Sequence, residues 1–256
     1  MTSKVNFIKQ VTSALGRSEI IPPEESYATA IFEDRSSASA NAEQAVADAE
    51  LLSANLMKEM AKSSETAGWK VHRTDNLEEV PELVVGICKD HKARSVLRSS
   101  HTVLTDIPLD AALSISEINV EVTKHSSGSS IQQIQKSKSA AFSADVGVTG
   151  VDYAIAETGT VVLHPRAGVS RLLSLAPPTH IAILRQGDVL TSLDELFAIQ
   201  RNDFLKGELE GSMNLISGPS KTADIEGTTV TGIHGPLEVH LIIVENNKSQ
   251  TMFLPQ

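Results

Sequence analysis

Cysteine is almost missing from this chain: Cys88 is the only one among 256 residues. A single thiol excludes an internal disulfide, a thiolate zinc site and an iron–sulfur cluster held by this chain alone, so any redox centre belongs to a partner. Aromatics are sparse, at six Phe, two Tyr and one Trp, which leaves the interior to Val, Ile, Leu and Ala and offers no stacking platform for bases. Cations are outnumbered, 22 Lys and Arg against 32 Asp and Glu, for a net charge of −10. That balance repels a phosphate backbone and no clustered stripe of Lys and Arg overrides it, so nucleic acid is excluded as a partner. The longest apolar runs, such as Leu241-Ile242-Ile243-Val244, fall far short of the roughly 20 residues of a bilayer-crossing helix. Lys4, Asn6, Lys9 and Gln10 interrupt the first residues, so no signal-peptide core forms and the chain reads as cytoplasmic.

Familiar fingerprints are absent as well. No Gly-x-Gly-x-x-Gly opens a helix and no phosphate-loop pattern occurs, which leaves a conventionally held nucleotide unsupported. No two of the eight His lie three or four apart on a predicted helix, so no local metal motif exists, and a metal would have to be assembled from distant residues.

What is present is a strand–helix alternation. Phe7, Ile8, Val11, Ala14 and Leu15 predict a short helix stopped by Gly16, and residues 20–39, with Pro22-Pro23 and no sustained period, predict an extended connector. Ala42, Ala45, Val46, Ala49, Leu52, Leu56 and Met60 mark a long amphipathic helix ending near Gly68, with its Met residues in the core. Beyond it, strands are predicted over 69–73, 95–98, 118–123, 153–158, 160–163, 181–184, 213–217 and 237–244, and helices over 76–91, 131–142 and 192–200. This order implies an α/β fold in which a mostly parallel sheet is flanked by helices, with one antiparallel pair around Gly159.

Two clusters of Gly and polar residues fall at predicted strand ends, where open α/β sheets place ligands. The first runs from Gly147 to Thr160. Strand alternation places Tyr153, Ile155 and Glu157 on one face, with Glu157 beside a Gly turn. Two roles fit Glu157: general base or nucleophile towards an acyl group, or an acid that accepts backbone N–H bonds and fixes the Thr-Gly-Thr turn. A short helix broken by Pro177-Pro178 follows, with Arg171 in its first turn. Arg171 suits either an internal acid, Glu157 or Asp152, or a substrate carboxylate or phosphate. In the second cluster, Ile216 to Glu226 with Gly232-Ile233-His234-Gly235-Pro236, a strand, a Gly-Pro turn and a short helix are expected. There Ser220, Lys221 and Thr222 either cradle an anion at a helix start or serve as a capped, solvated turn. Meeting of the two sharp turns would aim Asp224, Glu226 and His234 at one crevice, where His234 either moves a proton or merely hydrogen-bonds an acid.

Read together, these two clusters resemble the LUD domain of the lactate utilization protein C family. The resemblance extends from the N-terminal helix to the closing strand, with residues 20–39 and 99–124 carrying little of it. It places the N-terminal helix and connector at 1–40 and the LUD domain at 41–256. It implies a three-layer α/β fold similar to the sugar-phosphate isomerase and CoA-transferase group. It also implies a non-redox subunit that works with two iron–sulfur partner subunits to oxidise L-lactate to pyruvate and so support growth on lactate, with no cofactor in this chain. The resemblance hands over no agreed catalytic residue; the leading reading has the chain bind a small carboxylate or organise its cluster-bearing partners, with Glu157, His234 and Asp224 as catalytic candidates from the two clusters. Arg171, Thr158, Gly159, Gly218, Ser220, Lys221, Thr222 and Glu226 are the binding candidates. The competing reading is a free-standing enzyme on a phosphorylated sugar or CoA ester, with Glu157 as base or nucleophile.

Overall fold

The computed structural model describes residues 4–14, 16, 35–123, 131–208, 211–223 and 229–245. Helix α1 covers Lys4–Ala14, and the long helix α2 covers Arg35–Ala67. Residues 35–39 are therefore helical rather than extended, because Ala38 begins the same buried stripe that continues through Ala42, Ala45 and Ala49. The rest of the expected connector, 20–34, lies outside the described residues. Leu56, Met57 and Met60 complete the stripe at helical spacing, so these Met residues do fill the core.

Strands β1 (Lys70–Thr74), β2 (Ser95–Arg98), β3 (Asn119–Val122), β4 (Val146–Gly150), β7 (Thr179–Arg185) and β12 (Glu238–Val244) build a six-stranded sheet in the order β1-β12-β7-β4-β2-β3. Every pairing in it is parallel. Both faces are covered, which is why β7 and β12 read as unbroken apolar runs. Ile181, Ile183, Ile242 and Val244 face α3 (Val80–Asp90), α4 (Thr102–Thr105) and α5 (Leu109–Ile115). Ala182, Leu184, Leu241 and Ile243 face α2 and a second sheet. Burial of each such side chain contributes about 1.5–3 kcal/mol.

The second sheet has the order β8-β5-β6-β9, from β5 (Tyr153–Ile155), β6 (Thr160–Leu163), β8 (Val189–Leu190) and β9 (Asn214–Ile216). Its β5–β6 hairpin is the antiparallel pair expected around Gly159. Helices α6 (Ile131–Ser143) and α7 (Leu193–Lys206) complete the layer. The sequence places the ends of α7 itself: Ser192 and Glu195 form a capping box, and Gly207 closes it in the left-handed region at φ +80°. Three expectations need correction. Strand β5 stops at Ile155, so the alternation that carried Glu157 onto the strand fails. The segment before Pro177 is one 3-10 turn, Arg171–Ser174. After Gly218-Pro219 comes no helix but strand β10 (Lys221–Ala223), paired with β11 (Thr229–Thr231). Among the described residues no helix is long and apolar enough to cross a membrane.

Candidate functional site

Chain connections run outward from β2 to β3 on one side, and from β4 to β7 and β12 on the other, so the order in which strands are added reverses between the parallel neighbours β2 and β4. Such a reversal opens a crevice at the strands' carboxyl ends. After β2 the chain continues as Ser99-Ser100-His101, with the Ser99 N–H donating to Val148 O at 2.9 Å and the Ser100 N–H to Gly168 O at 3.0 Å. His101 caps α4: its Nδ1 accepts from the Val103 N–H at 3.3 Å. With Nδ1 used as acceptor, Nε2 carries the proton, and it faces Asp152 Oδ1 at 3.2 Å. Asp152 follows directly on the carboxyl end of β4. Gly150 makes this approach possible, because a Cβ there would lie 2.2 Å from His101 Nδ1.

Asp152 is the hub. Oδ1 also accepts from Arg166 Nη2 at 2.9 Å, and Oδ2 accepts from the His164 backbone N–H at 2.7 Å, with the His164 ring Nδ1 at 3.6 Å. Burial alone would raise its pKa, but the hydrogen bonds from His101 and His164 and the Arg166 charge outweigh that and hold the carboxyl far below the usual range. An ionised carboxylate that accepts hydrogen bonds on both oxygens is a poor base and a good anchor. What it anchors is Arg166, whose Nη1 also donates to His164 O at 2.9 Å. The Arg166 side chain keeps 32% exposure, and these two bonds leave three of its five N–H donors unused. His164 is held from its other side by Gln200 Oε1 at 3.1 Å from Nε2. Nearby Asp188 is almost wholly buried, which pushes its pKa up to about 6 although Arg185 Nε donates to it at 3.0 Å. It is the acid in this region tuned closest to neutrality.

The sequence candidates fall elsewhere. Glu157 is exposed in the turn beyond β5, at the opposite end of that strand from Asp152, and its carboxylate has no partner among the described residues. The turn is fixed instead by hydroxyls: Thr158 Oγ1 and Thr160 Oγ1 are 2.7 Å apart, and Thr160 Oγ1 and Ser217 Oγ are 2.7 Å apart. This chain does join the two clusters, as the strand pairing of Val161 with Ile216 requires. Both turns press on the carboxyl end of α2, where a Cβ on Gly159 would meet Ser63 C at 2.5 Å and one on Gly218 would meet Ala67 O at 2.2 Å. Both adopt positive φ, +64° and +104°, which favours glycine.

The two sharp turns of the second cluster also meet. The Gly232 N–H donates to Ser220 O at 2.8 Å and the His234 N–H to Ser220 Oγ at 3.3 Å. His234 itself is exposed. Lys221 and Thr222 lie on β10, so no helix start exists there for an anion. The Lys221 ammonium is 3.5 Å from where a Gly68 Cβ would lie, beside the negative end of α2. Arg171 is exposed in its 3-10 turn, and Asp152 is taken by Arg166 instead. Asp224 and Glu226 lie outside the described residues. His101, His164, Arg166 and Asp188 were not singled out from sequence. The usable signal was polar residues directly after short apolar strands, as in Ser99-Ser100-His101 and Asp152.

Fold and site together define a three-layer α/β protein with an arginine–carboxylate pair at the carboxyl ends of a parallel sheet. The LUD domain family matches residues 57–244, and this chain belongs to that family. A "Lactate utilization protein C" from Halalkalibacterium halodurans is 32% identical over 178 residues, covering 69% of this chain and 73% of the relative. "Lactate utilization protein C 1" from Bacillus mycoides is 30% identical over 192 residues, covering 75% and 80%. The crystal structure of a DUF162 family protein from Deinococcus radiodurans shares the fold at TM-score 0.52 and 21% identity, covering 75% of this chain and 98% of that one.

Proposed function

We propose that this chain acts in lactate utilization as the non-redox subunit of a cytoplasmic complex that oxidises L-lactate to pyruvate. The observation that carries the reading is the Asp152–Arg166 pair: a buried carboxylate locks a partly exposed guanidinium at the mouth of the strand-end crevice. Kinship with proteins named for lactate utilization supplies the substrate class. L-Lactate offers one carboxylate and one hydroxyl. The unused donors of Arg166 suit the carboxylate, and the exposed Ser100 beside the same turn suits the hydroxyl.

Oxidation to pyruvate releases two electrons and two protons. In this proposal the electrons leave through iron–sulfur clusters held by two partner subunits. This chain's own donor set does not fit such a cluster: it has one cysteine, Cys88, which is buried and whose thiol burial pushes up to about 12. The competing reading, a free-standing enzyme on a phosphorylated sugar or CoA ester, gains no support from an exposed Glu157 or from a Gly218–Thr222 segment that bends straight into strand β10. Reconstitution tests the proposal. Lactate-dependent dye reduction should require this chain together with its cluster-bearing partners, and turnover by the chain alone would overturn it.

A further inference from the structure

A second cluster of ionisable groups lies at the opposite, amino end of the parallel sheet, apart from the crevice and independent of the lactate reading. Glu238 and His240 are two residues apart on β12 and so share a face, the one on which Ile242 and Val244 pack beneath α3. His91 caps the carboxyl end of α3 directly over them. Beside Lys70 and His72 of the neighbouring strand β1, two elements thus bring two imidazoles and a carboxylate to one point.

Hydrogen-bond arithmetic makes the arrangement unusual. His91 Nε2 and His240 Nε2 each lie 2.8 Å from the same atom, Glu238 Oε1, and Lys70 Nζ contacts that oxygen too. A carboxylate oxygen offers about two lone-pair sites, so three donors overload it. A bound cation resolves this, since both imidazoles then present lone pairs to the ion rather than N–H groups to one oxygen. The three ligand atoms all lie within 4.8 Å of one another. Tetrahedral ligands on bonds of about 2.0–2.1 Å stand about 3.3 Å apart, so the 2.8 Å contacts need open by only about half an ångström. An outer partner is already in place: His72 Nε2 lies 2.9 Å from His240 Nδ1 and can accept its proton, which leaves Nε2 as the coordinating nitrogen.

We propose that His91, Glu238 and His240 form a binding site for a first-row divalent cation, with zinc the best chemical match and an open fourth position. Two nitrogen donors disfavour magnesium and calcium, and two imidazoles with one carboxylate form a recurrent zinc ligand set. His72 is a positioning residue. Lys70 is the competing charge that the metal displaces, and with 57% exposure its stem is free to turn towards water.

The test uses the tag-free full chain, stripped with chelator and titrated with zinc by calorimetry, with metal content measured after gel filtration and cobalt absorption as a geometric probe. One equivalent of zinc is expected. Glu238→Gln and His240→Ala should each abolish stoichiometric retention, and His91→Ala, at an exposed helix end, should do so without unfolding the chain. His72→Phe should weaken affinity about 10–100-fold. Lys70→Ala should tighten it, a result that a purely structural cluster would not give. Substoichiometric zinc in the parent protein, retention undiminished in His91→Ala and Glu238→Gln, or unchanged affinity in Lys70→Ala would each overturn the proposal.

Discussion

The two ends of the parallel sheet handle a carboxylate differently. At the carboxyl end, Asp152 spreads its partners over both oxygens, and its neighbours are pinned in turn: His101 by the α4 backbone, His164 by Gln200, Arg166 by the His164 carbonyl. At the amino end, Glu238 gathers two imidazoles and an ammonium on one oxygen, and Lys70 is largely in solvent. The first arrangement is finished without a ligand and presents a partly exposed cation. The second gains by exchanging shared protons for a metal ion. A carboxylate with its partners spread over both oxygens builds a recognition surface, and one crowded on a single oxygen builds a coordination site.

The strongest way to break this contrast is to remove each hub. Asp152→Ala leaves Arg166 and two histidines around an emptied buried position and should cost about 3–5 kcal/mol of stability in urea unfolding. Glu238→Gln, at a more exposed site, should cost no more than about 1–2 kcal/mol. Equal losses would show that the two clusters are organised alike.

Acid sensitivity separates the ends next. His180, at the start of β7, is wholly buried, and its pKa falls from 6.5 to about 3 because burial disfavours the charged ring, with His240 adding repulsion. A histidine with a depressed folded pKa contributes stability that is complete above pH 6.5 and lost as pH falls towards 3. The loss approaches about 1.4 kcal/mol per pH unit within that window. His180→Gln should flatten the decline measured by urea midpoints between pH 6.5 and 4.5. Asp152, also depressed, adds a loss only below the ordinary carboxylate range, so His180→Gln should leave that lower limb in place.

A smaller effect sharpens the carboxyl end. Gly150→Ala places a methyl 2.2 Å from His101 Nδ1 and should cost about 1–3 kcal/mol while loosening the His101–Asp152 contact. The smallest expected effect is none: Glu157→Gln should leave both stability and reconstituted lactate oxidation unchanged, since the side chain is exposed and without a partner among the described residues. A large loss of activity would restore the enzyme reading in which Glu157 is the base.

Much of the architecture is legible along the chain because period and punctuation agree. The Ala and Met stripe of α2, the Ser192–Glu195 box before α7 and the apolar runs of β7 and β12 each announce their element. Strand β4 was hidden because two of its five residues are Gly, a poor strand former. These glycines are required by contacts that no local pattern encodes: a Cβ on Gly147 would strike Leu173 O, and one on Gly150 would strike His101. The same distance effect concealed the site. Asp152 stood in the cluster that drew attention, but its partners His101, Arg166 and Gln200-held His164 converge only through sheet order. The short helix expected after Gly218-Pro219 fails for a different reason: a Gly-Pro turn before a Ser-Lys-Thr run looks like a helix start, whereas β11 recruits that run into a hairpin.

The most direct measurement is the KM for L-lactate of the complex reconstituted with Arg166→Ala in place of the parent chain. Loss of a charge-assisted contact to the substrate carboxylate should raise KM about 10–100-fold, with partial recovery in Arg166→Lys. An unchanged KM in an assembled, folded complex would contradict the assignment of the strand-end crevice as the place where lactate is held.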